Sequence, residues 1–152
     1  MSNRIIQEQS VGAVIFHKSS SYQEYLITHY PKGARSGMKG HWDLIKGHID
    51  EGESDLETLM REAEEETGLT QEHLKLINGF CEKIAYNFRT EQGLHFKQVT
   101  FYLLESDTKQ ITLSKEHDEY RWLSKDEVIQ TITFQGGKEM VEKANIFLRN
   151  IK

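Results

Sequence analysis

Five of the six residues from Val11 to Phe16 are apolar, and Val11, Ala13 and Ile15 alternate with Gly12, Val14 and Phe16. A strand apolar on both faces belongs in the middle of a sheet, covered on each side. Tyr25 to Tyr30 reads as a partner strand. Leu74 to Asn87 and Lys97 to Glu105 carry β-branched and aromatic residues around a turn at Glu91 to Gly93, which predicts a long hairpin with Val99, Phe101 and Leu103 on one face. Tyr120 to Leu123 predicts a short strand, followed by a helix opened by Ser124 with Glu127 three residues on. Lys138 to Arg149 predicts a helix with Met140, Val141, Ala144 and Leu148 inward. Strands and helices interleave, without repeats or a linker, so the expected architecture is a mixed sheet covered by helices.

The segment with the clearest boundaries is Asp55 to Thr67. Ser54 and Glu57 form a capping box at its start, and Gly68 followed by Leu69 marks its end. At 100° per residue Leu56, Leu59, Met60, Ala63 and Thr67 share one arc, predicted to be buried. Glu62, Glu65 and Glu66 fall on an adjacent arc. Like charges at these spacings cost about 0.2–0.5 kcal/mol per pair on an exposed helix. A hard divalent cation would reverse that sign, since it takes carboxylate and phosphate oxygens together. A solvated acidic face is the competing reading of the same pattern.

Composition narrows the partners. The 152 residues suit a single domain over 1–152, and 19 Lys and Arg against 24 Asp and Glu leave a net charge of −5. Duplex nucleic acid or an anionic membrane is therefore not the expected partner, and an anionic substrate requires locally concentrated positive charge. The stretch from Lys32 to Lys39 is one such concentration, in a loop-like composition. The single cysteine, Cys81, is expected to be a buried structural thiol in a reducing compartment. The run from Val11 to Phe16 is too short for a signal or spanning segment, so the expectation is a cytoplasmic protein, monomeric or a weak dimer.

Read from Gly47, the chain runs Gly, five residues, Glu53, seven residues, Arg61, Glu62, Ala63, one residue, Glu65, Glu66, one residue, Gly68, Leu69. This pattern resembles the box of the Nudix hydrolases, which cleave nucleoside diphosphate linkages by attack of water on phosphorus with Mg²⁺ or Mn²⁺. The resemblance implies an α/β (α+β) fold, the Nudix-type α/β/α sandwich with a mixed β-sheet. It implies that Glu62, Glu65 and Glu66 are metal ligands, or for Glu62 a base contact, that the Gly47 carbonyl completes the coordination, and that Arg61 pairs with Glu53.

Two longer stretches, His41 to Thr58 and Leu113 to Leu123, are similar to the asymmetrical diadenosine tetraphosphate hydrolases within that family. Ile45 departs from the pattern, which commonly has Pro there. The similarity implies that His41, Lys46 and Lys97 contact phosphate, that Glu116 is a further metal ligand, and that Tyr86 and Phe134 clasp adenine. Core or sheet-face packing is the alternative for the two rings. His117 is expected at the surface or behind the metal ligands. The implied reaction converts diadenosine tetraphosphate to ATP and AMP, with Lys46 offsetting phosphate charge, Glu62 the first choice of general base and Glu116 the second. Other nucleoside triphosphates, RNA 5′ ends, or binding without turnover stand as alternatives.

Overall fold

The computed structural model describes residues 3–31 and 40–151. The basic stretch from Lys32 to Lys39 lies outside them. Strand β1 (Ile5–Lys18) runs through the middle of the sheet. It pairs with β2 (Gln23–Tyr30) and β4 (Ile45–His48) antiparallel and with β7 (Gly93–Ser106) in parallel. Beyond β2 lie β3 (His41–Asp43) and β8 (Glu119–Leu123). Beyond β7 lie β5 (Leu74–Leu76) and β6 (Glu82–Thr90). One parallel pairing among antiparallel ones makes this the expected mixed sheet.

The alternation of β1 sorts its side chains between two cores. Val11, Ala13 and Ile15 pack with Leu59, Ala63 and Leu69 under α1 (Asp55–Thr67). Val14 and Phe16 pack with Val99, Phe101, Leu103, Val128, Met140 and Val141 under α2 (Lys125–Thr131) and α3 (Gln135–Asn150). Helices thus cover both faces, which is the α/β/α sandwich. Both expected capping boxes form, with the Ser54 and Ser124 hydroxyls accepting from the backbone N–H groups of Glu57 and Glu127. Gly68 ends α1 at φ 76°, a left-handed conformation that favours glycine.

Four expectations are corrected. The proposed hairpin arm from Leu74 to Asn87 is two strands, because Gly79 turns the chain at φ 96° and the 14-residue β7 is long enough to pair with both pieces. Helix α3 starts at Gln135, three residues early, and Leu148 is only partly buried at its far end. Cys81 is exposed, whereas its neighbour Phe80 points into the core. Leu56 is also exposed, at 49%. The buried face of α1 is rotated away from it and takes in Thr58 and Glu66. Polar groups can be buried there because they are hydrogen-bonded: Thr58 Oγ1 donates to Glu53 Oε1 at 2.9 Å and the Tyr30 hydroxyl donates to Glu66 Oε1 at 3.3 Å.

That rotation is testable. Leu59→Ala should cost about 2–5 kcal/mol, the range for removing a buried leucine side chain. Leu56→Ala should stay within about 0.5 kcal/mol of the parent. Urea unfolding of the two variants measures both, and equal losses would place Leu56 in the core after all.

Candidate active site

Helix α1 and the loop preceding it are bound together by one side chain. Arg61 presents Nε to Glu53 Oε2 at 2.7 Å and Nη2 to Glu53 Oε1 at 3.0 Å, a two-point pairing that only a planar guanidinium makes. The same Nη2 reaches the His48 carbonyl at 3.0 Å and lies 3.3 Å from Asp50 Oδ2, while Nη1 reaches Glu62 Oε1 at 2.9 Å and Glu65 Oε2 at 3.3 Å. The pairing of Arg61 with Glu53 implied by the motif is therefore present, and it extends to β4 and to three more acids. These hydrogen bonds hold the Glu53 carboxyl well below its ordinary value, at about 2, with Arg61 the largest cause.

Gly47 explains its own place in the motif. It lies in β4 opposite Val11, and a Cβ added there would land on the carboxyl group of Glu62. Only glycine lets that side chain lie against the strand. Burial is the main reason the Glu62 carboxyl is held above its ordinary value; the Arg61 hydrogen bond opposes that rise, and the charges of Glu65 and Glu116 add to it. Glu66 is 4% exposed. Glu65 is exposed, and Glu116 is exposed on the loop between β7 and β8. Glu62, Glu65, Glu66 and Glu116 nonetheless line one cleft together with Lys46, Gly47, His48 and Asp50.

Among the described residues, no three of these acids converge closely enough to enclose an ion as they stand. The donor set still fits a hard divalent cation. Five carboxylates border one cleft, Asp50 among them, and the charges of Glu65 and Glu116 disfavour ionisation of Glu62, a cost that a cation removes. Three of the five, Asp50, Glu62 and Glu65, are held by Arg61.

A second hollow adjoins the first. Tyr86, Phe134, Ile84, Phe101, Gly136, Gly137 and Glu139 line it, with Lys46 and Asp43. Tyr86 and Phe134, 42% and 43% exposed, are brought together there rather than packed in the core. Lys46 borders both hollows and is held by Asp43, Nζ to Oδ2 at 2.9 Å. Lys97 stands opposite Tyr86 across the β6–β7 pair, in a shallower depression, away from the acids. His41 is buried instead of lining either hollow, its ring stacked on Tyr30 at 4.8 Å with Phe134 edge-on at 5.4 Å. Of the two places expected for His117 the structure shows the one behind a proposed ligand: its side chain is buried, with Nδ1 3.0 Å from Ser114 Oγ and Nε2 3.8 Å from Glu66 Oε1. The sequence reading missed Asp43, Asp50 and Tyr30 as neighbours of the site. For Asp43 a signal existed, an acid three residues before Lys46; for Tyr30, distant in sequence from Glu66, none did.

The sign of the Glu53 effect gives a prediction. A carboxyl lowered from 4.5 to about 2 in the folded chain contributes stability that is present above pH 4.5 and lost as pH falls toward 2. Glu53→Gln should therefore be less stable than the parent at pH 7, and the difference should shrink between those two pH values. Thermal melts across that range measure it, and a difference independent of pH would contradict the ionic pairing. Separately, Gly47→Ala should abolish activity while the protein stays folded, because the new methyl displaces Glu62; retained activity would mean that Glu62 need not occupy that position.

The comparisons with known proteins agree with this geometry. A family model described as the NUDIX domain matches residues 7–144. The bis(5′-nucleosyl)-tetraphosphatase [asymmetrical] of Mus musculus is 34% identical over 148 residues, covering 92% of this chain and 95% of that protein. The protein of the same name from Sus scrofa is 36% identical over 148 residues with the same coverage. In three dimensions the binary complex of a C. elegans Ap4A hydrolase matches with a TM-score of 0.81 at 24% identity, over 95% of this chain and 99% of that one. The acidic motif, the sandwich that carries it and a family model spanning most of the sequence lead to one conclusion: this chain belongs to the Nudix hydrolase family.

Proposed function

We infer that this protein, acting as a single domain over 1–152, hydrolyses dinucleoside polyphosphates and that diadenosine tetraphosphate, cleaved to ATP and AMP, is its principal substrate. The observation that carries this reading is that a ring-lined hollow and an acid-lined cleft adjoin and share one lysine, Lys46. A nucleobase and a polyphosphate are the two halves of a molecule that would fill both. The relatives named bis(5′-nucleosyl)-tetraphosphatase cover nearly the whole chain, which supports the dinucleoside form of that substrate.

Each residue has a task in this reading. Tyr86 and Phe134 clasp the base, an interaction tolerant of base identity and worth about 1–3 kcal/mol per stacked base. His41 meets Phe134 edge-on and steadies that ring. Lys46 and Lys97 offset the charge of the phosphates, the largest task in a reaction dominated by electrostatics. Glu62, Glu65, Glu66 and Glu116, with the Gly47 carbonyl beside them, would hold Mg²⁺ or Mn²⁺, which when bound supplies a Lewis acid for phosphate oxygens and makes the attacking water more acidic. Glu62 accepts the proton of that water, a role suited to a carboxyl that burial has made more basic, and Glu116 is the second choice. The water oxygen bonds to phosphorus, the bridging P–O bond breaks, and the departing nucleotide leaves as a phosphate anion. Arg61 and Glu53 brace the loop and do not touch the reacting atoms. Among the described residues no helix is long and apolar enough to cross a membrane. Action in the cytoplasm, as a monomer or a weak dimer, completes the proposal.

Incubation with Mg²⁺ and a panel of dinucleoside polyphosphates, nucleoside triphosphates and 5′-triphosphorylated RNA tests the reading by product chromatography. Diadenosine tetraphosphate should be turned over fastest, with ATP and AMP formed in equal amounts. Preferential release of pyrophosphate from triphosphates or from RNA would overturn the substrate assignment, and no turnover of any substrate would mark a binding module. Glu66→Gln should lower turnover by a factor on the order of 10³ with an unchanged thermal melt, because the amide keeps the shape and loses the charge.

A further inference from the structure

The β6–β7 hairpin reaches beyond the helices, and the outer half of β6, residues 85–90, is exposed on both faces. Three rings line one face of this projection. Tyr86 lies opposite Lys97 and Phe88 opposite His95, so all four side chains share that face. The Tyr86 and Phe88 centroids are 6.2 Å apart, and Phe88 lies parallel to His95 at 4.6 Å with 7° between the planes. Phe88 is 39% exposed, yet the ring beneath it is fixed: His95 is buried, with Nδ1 donating to Glu8 Oε1 at 2.8 Å and Nε2 2.7 Å from Thr90 Oγ1. A hydrogen bond on each nitrogen sets the plane of the imidazole, and the imidazole sets the plane of Phe88.

A flat ring that is partly exposed and fixed by the ring it stacks on matches the surface that a nucleobase recognises, since any base face stacks on it. We propose that Phe88, supported by His95, is a stacking platform for the second nucleobase of a dinucleoside polyphosphate. This rests on the substrate reading above, in which Tyr86 and Phe134 take only one base and leave the other to be placed. Continuity carries the assignment: Phe88 follows Tyr86 two residues along the same strand, about 7 Å away, on the face that also carries Lys97. A chain of four phosphates is longer than that distance, so the substrate bends back and sets its two bases on neighbouring rings. The consequence is a preference for dinucleoside over mononucleoside polyphosphates that arises away from the acids.

The test compares two constants on the same preparations: KM for diadenosine tetraphosphate, and the inhibition constant of adenosine 5′-tetraphosphate as a competitor, which has the phosphates but one base. In Phe88→Ala the ratio of KM to inhibition constant should rise about 5- to 150-fold, the worth of one stacked base. In Phe88→Trp, which keeps a flat ring, it should stay within about twofold of the parent. His95→Ala, which removes only the support, should raise the ratio by less than Phe88→Ala. An unchanged ratio in Phe88→Ala, or a parallel rise of both constants, would overturn the proposal. So would an unchanged ratio accompanied by a shift from dimer to monomer in sedimentation, which would make the rings a contact between copies of this chain. If the unaltered protein did not hydrolyse diadenosine tetraphosphate at all, the substrate reading itself would fail, an outcome distinct from each of these.

Discussion

A guanidinium that meets a glutamate at two points, and three further carboxylates and a carbonyl besides, cannot be moved without moving the loop, the strand and the helix it joins. Arg61 occupies that position. Glu53 gives the loop, the His48 carbonyl gives the end of β4, and Glu62 and Glu65 give the helix surface that faces the cleft. The cluster concentrates four negative charges around one positive charge. Within it the Arg61 hydrogen bonds hold the Glu53 carboxyl well below its ordinary value, whereas burial and its acidic neighbours raise that of Glu62. Two carboxylates on one guanidinium are thereby pushed in opposite directions, Glu53 toward the ionised form and Glu62 toward the neutral one.

The remainder of the fold serves to deliver three groups to this cluster. The central strand β1 carries β4, and the absence of a side chain at Gly47 allows the strand and the helix to approach until Glu62 lies on the backbone. The loop after β7 brings Glu116 to the cleft, and it is anchored where His29 Nδ1 meets Asp118 Oδ1 at 2.7 Å and the Asp118 N–H donates to the His29 carbonyl. The N-terminus of α3 brings Phe134 to face the β6–β7 hairpin, with Lys46 between the ring-lined and acid-lined spaces. In the proposed function a base and a polyphosphate of one molecule would lie on either side of that lysine.

What could be read in the sequence was what short-range geometry decides. Both capping boxes, the Gly68 terminator, the double-sided β1 and the register that clusters Glu62, Glu65 and Glu66 depend on residues within a few positions of one another. The motif added Glu53 to Arg61, eight residues apart, and the structure shows that pair. The failures involve partners from elsewhere in the chain. Leu56 is exposed because Tyr30 on β2 and Glu53 in the loop satisfy Glu66 and Thr58, which a helical wheel counts as polar and places outside. For His117 the sequence left two places open, and only the Tyr30 ring, 4.3 Å away, and Glu66 decide for the one behind the acids. The arm from Leu74 to Asn87 was divided by a glycine turn that hydrophobicity alone does not locate.

If Arg61 organises both the fold and the cleft, then a substitution that keeps its charge and removes its planar fork must disturb the two together. The direct measurement is Arg61→Lys, followed by urea unfolding and by Mn²⁺ binding to the substrate-free protein in calorimetry. Both stability and Mn²⁺ affinity should fall, since lysine cannot make the two-point pairing with Glu53 while reaching Glu62 and Glu65. Unchanged stability with weakened binding would contradict the bracing role and place Arg61 at the ligand instead.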